Sequence, residues 1–596
     1  MQQSRDRMSA RCGTTACALG ALVALVAILF LSAGAASAAR PYKPITYYVN
    51  VNAEGANNGT SWANAFTDLQ DALDAAVSGD AIWVAAGTYR PDVSDRKVSF
   101  ALKSGVALYG GFAGSETALS ERSSDPGLMT VLSGDIGMAG DDTDNSYHVV
   151  FADGVTDAVL DGFTVTLGRA DGEYGRNDSG GGLYSTNSLL TVSNCVLNDN
   201  KADYAGGGLF SKDSALTVTD SVFSGNAAGV DSQHSGQGGG MYNEGQYTDP
   251  ESPVPYRSSV IRGCTFRDNR SYLSYYAAED YYWGGAGLYT SGESRPTIDR
   301  CTFRHNVTKG SAHGGGMHNN VASPTVTNSV FDGNEAYFGG AVANIGGGAD
   351  ILNCTFYVNS AKASGGSGGA VYLRLGRTRI VDAIFSGNAA TAIGGGIRGD
   401  LAGLAEATIT RCLFHENYGN NGEEIDHYQF NTSPGSPPPA EISETLLDVD
   451  PLLADPVNGN FHLLAGSPAI DAGVTRKYAE MTWLPLPEAD FEGDSRVIDG
   501  DGLAGNAADI GADEYVPTLD ELRALIQGLP YDQIDGDSAI VLLDFVDDAQ
   551  DALDGGHPDS AKSILAEMID WLKALEDTET TELILRKAEA VYGTFD

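Results

Sequence analysis

A paired motif recurs in eight units between residues 180 and 417. Each unit opens on a run of small residues: Gly180-Gly181-Gly182-Leu183, Gly206-Gly207-Gly208-Leu209, Gly238-Gly239-Gly240-Met241, Gly285-Ala286-Gly287-Leu288, Gly314-Gly315-Gly316-Met317, Gly339-Gly340-Ala341-Val342, Gly368-Gly369-Ala370-Val371 and Gly394-Gly395-Gly396-Ile397. Each closes on an aromatic-x-x-Asn element, as in Phe223…Asn226, Phe266…Asn269, Phe331…Asn334 and Phe385…Asn388, with Leu197 replacing Phe in the first unit. From first Gly to Phe/Leu the offset is 17 in five units, although the period varies. A fixed offset inside a variable period describes stacked coils with insertions at their corners.

The segments between motifs, such as 216–223 and 325–331, alternate and carry Val, Thr and Phe, as strands do. Small residues let a coil turn where a larger side chain would clash. An Asn at one corner of every coil can bond the Asn above and below it. A flexible Gly-rich linker would show no such register. The expected class is therefore all-β: a right-handed parallel β-helix, its hand following the general crossover preference. Residues 517–596 add a small C-terminal α-helical bundle.

The Gly-Gly-Ala-Val and Phe-x-x-Asn pairs resemble the repeats of chlamydial polymorphic outer-membrane proteins over roughly residues 180–417. Those proteins end in an outer-membrane barrel; none is expected here, so autotransport is not implied. A second resemblance spans roughly 47–515. It rests on Tyr48–Tyr89 and on the downstream elements Asp450-Pro-Leu-Leu453, Gly459-Asn-Phe-His-Leu463, Ser467-Pro-Ala-Ile-Asp471, Asp490-Phe-Glu-Gly493 and Asp509-Ile-Gly-Ala-Asp-Glu514. These are similar to bacterial secreted proteins with a choice-of-anchor Q domain. That resemblance implies an extracellular, often surface-associated β-helix and no particular reaction.

Arg5, Arg7 and Arg11 precede an apolar run from Ala16 to about Gly34 and then Ala36-Ser37-Ala38. This pattern is a secretory signal peptide, residues 1–38, cut after Ala38, with an uncleaved anchor as the lesser reading. No other long apolar stretch follows, so no membrane span is expected after signal removal. The formal net charge is -43; removing three Arg and one Asp with the signal leaves 33 basic against 78 acidic residues, or -45. Such a chain repels nucleic acid and anionic lipid.

Five cysteines remain: Cys195, Cys264, Cys301, Cys354 and Cys412. Each lies two residues before the repeat Phe/Leu, where Ser221, Ser329 and Ala383 stand in other units. A position that takes Cys, Ser or Ala is a buried small-residue site, so the thiols are expected to be buried and mostly unpaired.

Residues 39–90 form an N-terminal cap and first coil. Tyr48-Val49-Asn50 reads as a strand, and Trp62, Phe66, Leu69, Leu73, Ala76 and Val77 fall at helical spacing, as suits a solenoid end cap. The β-helix occupies 91–430, with continuous coils expected from about 80 to 425. A Pro-rich loop at 431–440 opens the choice-of-anchor Q-like closing segment, 431–516. In the bundle, Thr518-x-x-Glu521 is a capping box and Gly555-Gly556 a helix stop. Ile540, Leu543, Val546, Ala549 and Leu553 share one helix face, while Ile564, Leu565, Met568, Trp571, Leu572 and Leu575 are the core positions of the next helix. The spacing of its apolar residues resembles the FIMAH-type helical domain of bacterial secreted proteins.

Chemistry is sparse. Asp141-Asp142 is the only Asp pair in the early coils, and no Gly-His-Gly or Arg-x-Lys accompanies it at the coils a polygalacturonase would use. Asp135, Asp141, Asp142 and Asp144 are the candidate metal ligands, with calcium the candidate cofactor; Asp490, Glu492 and Asp494, or Asp499 and Asp501, are weaker sets, and none forms an EF-hand loop. Turn caps are the competing reading of all of them.

Long corners are more informative. Inserts at 227–237 and 270–284 should share one edge of the solenoid, because equivalent corners lie about 4.8 Å apart; a third insert occupies 244–258. Tyr272, Tyr275, Tyr276, Tyr281, Tyr282 and Trp283 supply a stacking surface for sugar rings, with His234 and His313 as hydrogen-bonding neighbours. The competing reading is that these aromatics pack the loops onto the coil. The leading functional expectation is a secreted or cell-surface protein that binds polysaccharide or another surface component without catalysis. A polysaccharide lyase or glycoside hydrolase is the alternative, and a structural surface or matrix component the third. Asp, Arg or Lys gathered on successive coils favours the enzyme; an aromatic shelf without them favours binding.

Overall fold

The computed structural model describes residues 43–122, 129–173, 175–229, 235–245, 258–273, 284–400, 406–422, 424–431, 440–473, 489–493, 507–515, 517–529, 536–573, 584–585, 587–589 and 591–592. The chain divides between Ile45 and Thr46. The expected signal segment lies outside the described residues. The solenoid and the C-terminal helices all belong to the second unit.

The chain winds into a parallel β-helix whose coils build four sheets. Sheet I has 13 strands, from Thr46–Val49 to Ala440–Ser443; sheet II has 12, from Gly87–Tyr89 to Leu446–Leu447. Sheet III has 10, from Arg169–Ala170 to Glu424–Ile425, and sheet IV has 11, from Phe100–Ala101 to Tyr428–Asn431. Coiling thus starts earlier than expected: Thr46–Val49 already pairs in parallel with Ala81–Val84. One coil shows the path: Leu183–Thr186 in sheet IV, Leu189–Ser193 in I, Val196–Asn198 in II and Lys201–Ala202 in III.

Each turn of that path rests on one residue in the left-handed conformation: Asn187 (φ 50°), Asn194 (φ 50°), Asp199 (φ 54°) and Gly206 (φ 62°). Asn, Asp and Gly adopt this conformation at least cost, which is why they recur at the corners. Val358 (φ 45°) takes the place filled by Gly333 and Gly387 in other coils. There a β-branched side chain is held in strain by the coils on either side.

Inside, the closing-motif aromatics form one stack. Phe223, Phe266, Phe303, Phe331, Phe356, Phe385 and Phe414 follow one another at 4.7–4.9 Å between ring centroids, within 8° of parallel. All seven are fully buried. Beside them runs the Asn ladder. In Asn306, Oδ1 accepts from the backbone N–H (3.2 Å) and Nδ2 (2.9 Å) of Asn269, while Nδ2 donates to Phe266 O (2.8 Å) and Asn334 Oδ1 (2.9 Å). Asn200, Asn226, Asn269, Asn334, Asn359, Asn388 and Asn417 are buried in the same row. The five cysteines are buried, and among the described residues no disulfide joins any of them. Burial pushes Cys195 and Cys412 up to about 12, so they remain thiols.

The small-residue run is a steric requirement. A Cβ on Gly369 would lie 2.2 Å from Gly395 O of the next coil.

Helix α1, Leu69–Ala75, covers the first coil with Leu69, Ala72 and Leu73. Of the helical spacing from Trp62 to Val77, only the part from Leu69 forms the short helix. Ser61 caps a short 3₁₀ turn at Trp62–Asn64, and Asp68 starts α1 afresh. Between them the Asn57 side chain holds the Thr67 N–H, keeping that stretch extended.

The C-terminal helices are α2 (Leu519–Gly528), α3 (Gly536–Asp554) and α4 (Pro558–Lys573). The Thr518/Glu521 capping box forms as expected. Leu522, Ile526, Leu542, Val546, Ala549, Leu565, Met568 and Leu572 make the core. Ile540 is 58% exposed, and Leu542 takes the core position expected of it. Ile564 and Trp571 are half-buried at its edge, and Leu575 lies outside the described residues.

After the last coil, the described stretches 453–473, 489–493 and 507–515 fold back on the outer face of sheet II. Leu463, Ala469, Ile510 and Tyr515 pack on Ile384 and Leu413. Corner residues of successive coils hold this segment: Asn328 Nδ2 donates to Ala489 O (2.8 Å), Asn353 Nδ2 to Asp509 O (3.2 Å), and Gly511 N–H to Asp382 O (2.9 Å).

Candidate functional site

Sheet IV presents two rows to the outside. Its inward residues are those of the opening motif, so the next residue points outward. In register this gives Phe151, Tyr184, Phe210, Tyr242, Tyr289 and His318. The first five rings are stacked, with centroids 5.0–5.5 Å apart. Tyr184, Phe210, Tyr242, Tyr289 and His318 are no more than 9% exposed, so their faces serve packing. Two residues further along each strand lies a polar row: Asp153, Thr186, Lys212, Glu244, Ser291 and Asn320, and, beyond Ile345, Arg374, Asp400 and Asn431.

The aromatic row orients the polar one. Tyr242 Oη donates to Glu244 Oε2 (2.8 Å), Asn320 Nδ2 donates to Tyr289 Oη (2.9 Å), and Tyr372 Oη donates to Asp400 Oδ2 (2.8 Å). Burial raises all three phenols above their ordinary range, so they stay protonated. Lys212 Nζ lies 2.9 Å from Glu244 Oε1, and Asn431 Nδ2 donates to Asp400 Oδ1 (2.9 Å). The sequence carries this signal, since Tyr or Phe follows the opening motif at 184, 210, 242, 289 and 372. The longer insert at 270–284, denser in aromatics, masks it.

Of the residues singled out for sugar stacking, Tyr272 ends a strand of sheet III, half-buried, paired with Lys309 of the next coil. His313 sits where sheet IV begins, buried, its ring 5.1 Å from Phe338 and 5.7 Å from His318. Tyr275, Tyr276, Tyr281, Tyr282, Trp283 and His234 lie outside the described residues.

Burial pushes His313 down to about 3, with Arg374 adding to the effect. Burial likewise pushes His148 down to about 4; its Nδ1 lies 3.0 Å from Gly180 O and its ring 5.0 Å from Tyr184. Both rings are neutral in the folded state, whereas an unfolded imidazole titrates near 6.5. Stability from these sites is therefore complete above pH 6.5 and is lost as pH falls from there toward 4. The slope reaches about 1.4 kcal/mol per pH unit per histidine. Chemical denaturation between pH 8 and 4 should show a plateau followed by this decline, and His148→Gln should flatten part of it. An unchanged slope in that variant would place the decline elsewhere.

The proposed calcium residues close local turns. Asp135 Oδ1 accepts from Gly140 N–H (3.1 Å), Asp141 Oδ1 from Thr143 Oγ1 (2.6 Å), and Asp144 Oδ2 from Met138 N–H (2.8 Å), while Asp142 Oδ2 pairs with Lys201 Nζ (2.8 Å). Among the described residues, one set of His, Cys, Asp or Glu brings three ligand atoms within 4.8 Å of one another: His462, Glu492 and Asp513. Asp513 holds His462 above its ordinary range by a hydrogen bond; burial, then Asp513, pushes Glu492 up.

Arginines do gather on successive coils near sheet II, each beside a carboxylate: Arg262 (3.1 Å) and Arg300 (3.5 Å) share Asp299, and Arg304 meets Asp332 at 2.8 Å. Arg304 also donates to Val457 O (3.3 Å), so this network supports the folded-back segment.

The family model described as "Right handed beta helix region" matches residues 255–356. A stretch of 146 residues, 24% of this chain, is 28% identical to the metabotropic glutamate receptor-like protein R of Dictyostelium discoideum; it spans 9% of that relative's length. Among solved structures, the pectate lyase Pel9A is 14% identical, with 80% of this chain and 97% of that chain covered and a TM-score of 0.42. The mannuronan C-5 epimerase AlgE6 A-module of Azotobacter vinelandii is 13% identical, covering 67% and 100%, with a TM-score of 0.30. Taken with the parallel, in-register coils, the family match identifies the solenoid as a right-handed parallel β-helix.

Proposed function

We propose that this chain is an exported, surface-associated protein that binds a linear polysaccharide along the outer face of sheet IV, without transforming it. The observation that carries this reading is the polar row oriented from below by tyrosine hydroxyls. It offers donors and acceptors at a repeat of about 4.8 Å along the axis. A ligand that repeats its hydroxyls along one direction matches such a comb, and groups already fixed lose little freedom on binding. Engagement of the arginines near sheet II in ion pairs and in the folded-back segment favours binding over a lyase or hydrolase. Export follows from the signal pattern at 1–38, and the likeness to choice-of-anchor Q proteins agrees with a surface location.

The test is a binding panel of linear polysaccharides with the full mature chain, with reducing ends or unsaturated products monitored. Combined replacement of Glu244, Asn320 and Asp400 by Ala should weaken binding about 100-fold, near 1 kcal/mol for each contact. The thermal midpoint should also fall, because three buried tyrosine hydroxyls lose partners, so circular dichroism must show the triple variant folded at the assay temperature. Full binding by the triple variant would reject the face; product release would reject a purely binding role.

A further inference from the structure

We propose that His462 Nε2 and Glu492, with Asp513 positioning the imidazole from its other side, form a site for one divalent transition-metal ion of the zinc type. The three come from separate pieces of the folded-back segment: the strand Asn460–Leu463, the turn at 489–493 and the stretch 507–515. Their convergence is built into the fold. Asp513 is buried, and its Oδ2 accepts the Leu463 N–H at 3.2 Å while lying 3.2 Å from His462 Nδ1. The imidazole is thus oriented on one side by a fixed carboxylate, as metal-binding histidines usually are. On its other side Nε2 faces Glu492 Oε1 at 3.9 Å.

That separation is too long for a hydrogen bond. Two ligands about 2.0 Å from a tetrahedral ion stand roughly 3.3 Å apart. Closing the difference needs only a small movement of two side chains that are both partly exposed. Imidazole mixed with carboxylates suits zinc-type ions, whereas calcium takes oxygen ligands throughout. Charge points the same way. Asp490, fully buried beside the site, brings a third carboxylate, and its oxygens are held by the Gly493 and Glu514 N–H groups. A divalent ion offsets the carboxyl groups gathered there. Bound there, the ion would tie the three pieces to one another on the flank of sheet II.

The test uses the full mature chain after chelator treatment, titrated calorimetrically with Zn²⁺. One tight equivalent is expected, weakened at least 30-fold in both His462→Ala and Glu492→Gln. A saturating excess of Zn²⁺ should raise the thermal midpoint of the parent protein and not of either variant. Co²⁺ in place of Zn²⁺ should give the visible absorption of a four-coordinate ion, a readout from the parent protein alone. Absence of saturable binding, binding unchanged in both variants, or stronger binding of Ca²⁺ than of Zn²⁺ would overturn the proposal.

Discussion

Asn306→Ala is expected to destabilise the β-helix by about 4 kcal/mol, although it removes only a few polar atoms. The Asn306 amide makes four hydrogen bonds, two with the Asn269 backbone and side chain, one with Phe266 O and one with Asn334 Oδ1. Deleting it leaves buried donors on Asn269 and buried acceptors on Phe266 and Asn334 without partners. Each such group costs about 1–3 kcal/mol, more where the network is continuous. Asn306→Asp should also destabilise, because the carboxylate accepts from Asn269 but has no hydrogen to donate to Phe266 or Asn334. Urea denaturation measures both. A loss below 1 kcal/mol for the Ala variant would show that water or repacking satisfies the gap.

Phe331→Ala should cost about 3–5 kcal/mol, the usual penalty for deleting a buried aromatic side chain. Phe331 lies between Phe303 (4.7 Å) and Phe356 (4.9 Å), both nearly parallel to it. Those neighbours are fixed to their own coils and cannot close the void. Phe331→Leu should recover a large part of the loss, since Leu197 serves in the same position of the first motif unit. Hydrogen exchange should show the effect spreading to adjacent coils before distant ones. If protection fell uniformly from the first coil to the last, the nearest-neighbour picture would be wrong.

The interior of the solenoid was legible because each coil repeats the same demand. Phe, Asn and the small-residue corner kept their spacing, and the buried cysteines shared their frame. The coil had four sides because four separate residues turn it; at two corners the turning residue varies among Asn, Asp, Gly, Arg, His, Val and Glu, so no residue type marked the places. The outer aromatic row was present as Tyr or Phe after the opening motif at 184, 210, 242, 289 and 372, but its burial depends on sheet register and on covering groups, which one strand does not reveal. His462, Glu492 and Asp513 spread over 51 positions and meet only because the stretches 453–473, 489–493 and 507–515 double back. The helical spacing from Trp62 to Val77 misled because two caps, Ser61 and Asp68, divide what a periodic pattern joins.

The doubling back changes the statistics of the whole array. A bare solenoid behaves as a one-dimensional lattice, in which a coil at the end melts against a single neighbour. Here one strip of chain bonds Asn328, Asn353 and Asp382 and packs on Ile384 and Leu413, so it adds couplings that skip across coils. Those coils then melt as a block, and the terminal ones lose the freedom to fray singly. A protease meets the same barrier: the last coils open only after the strip has peeled away, which makes its detachment the slow event in their turnover.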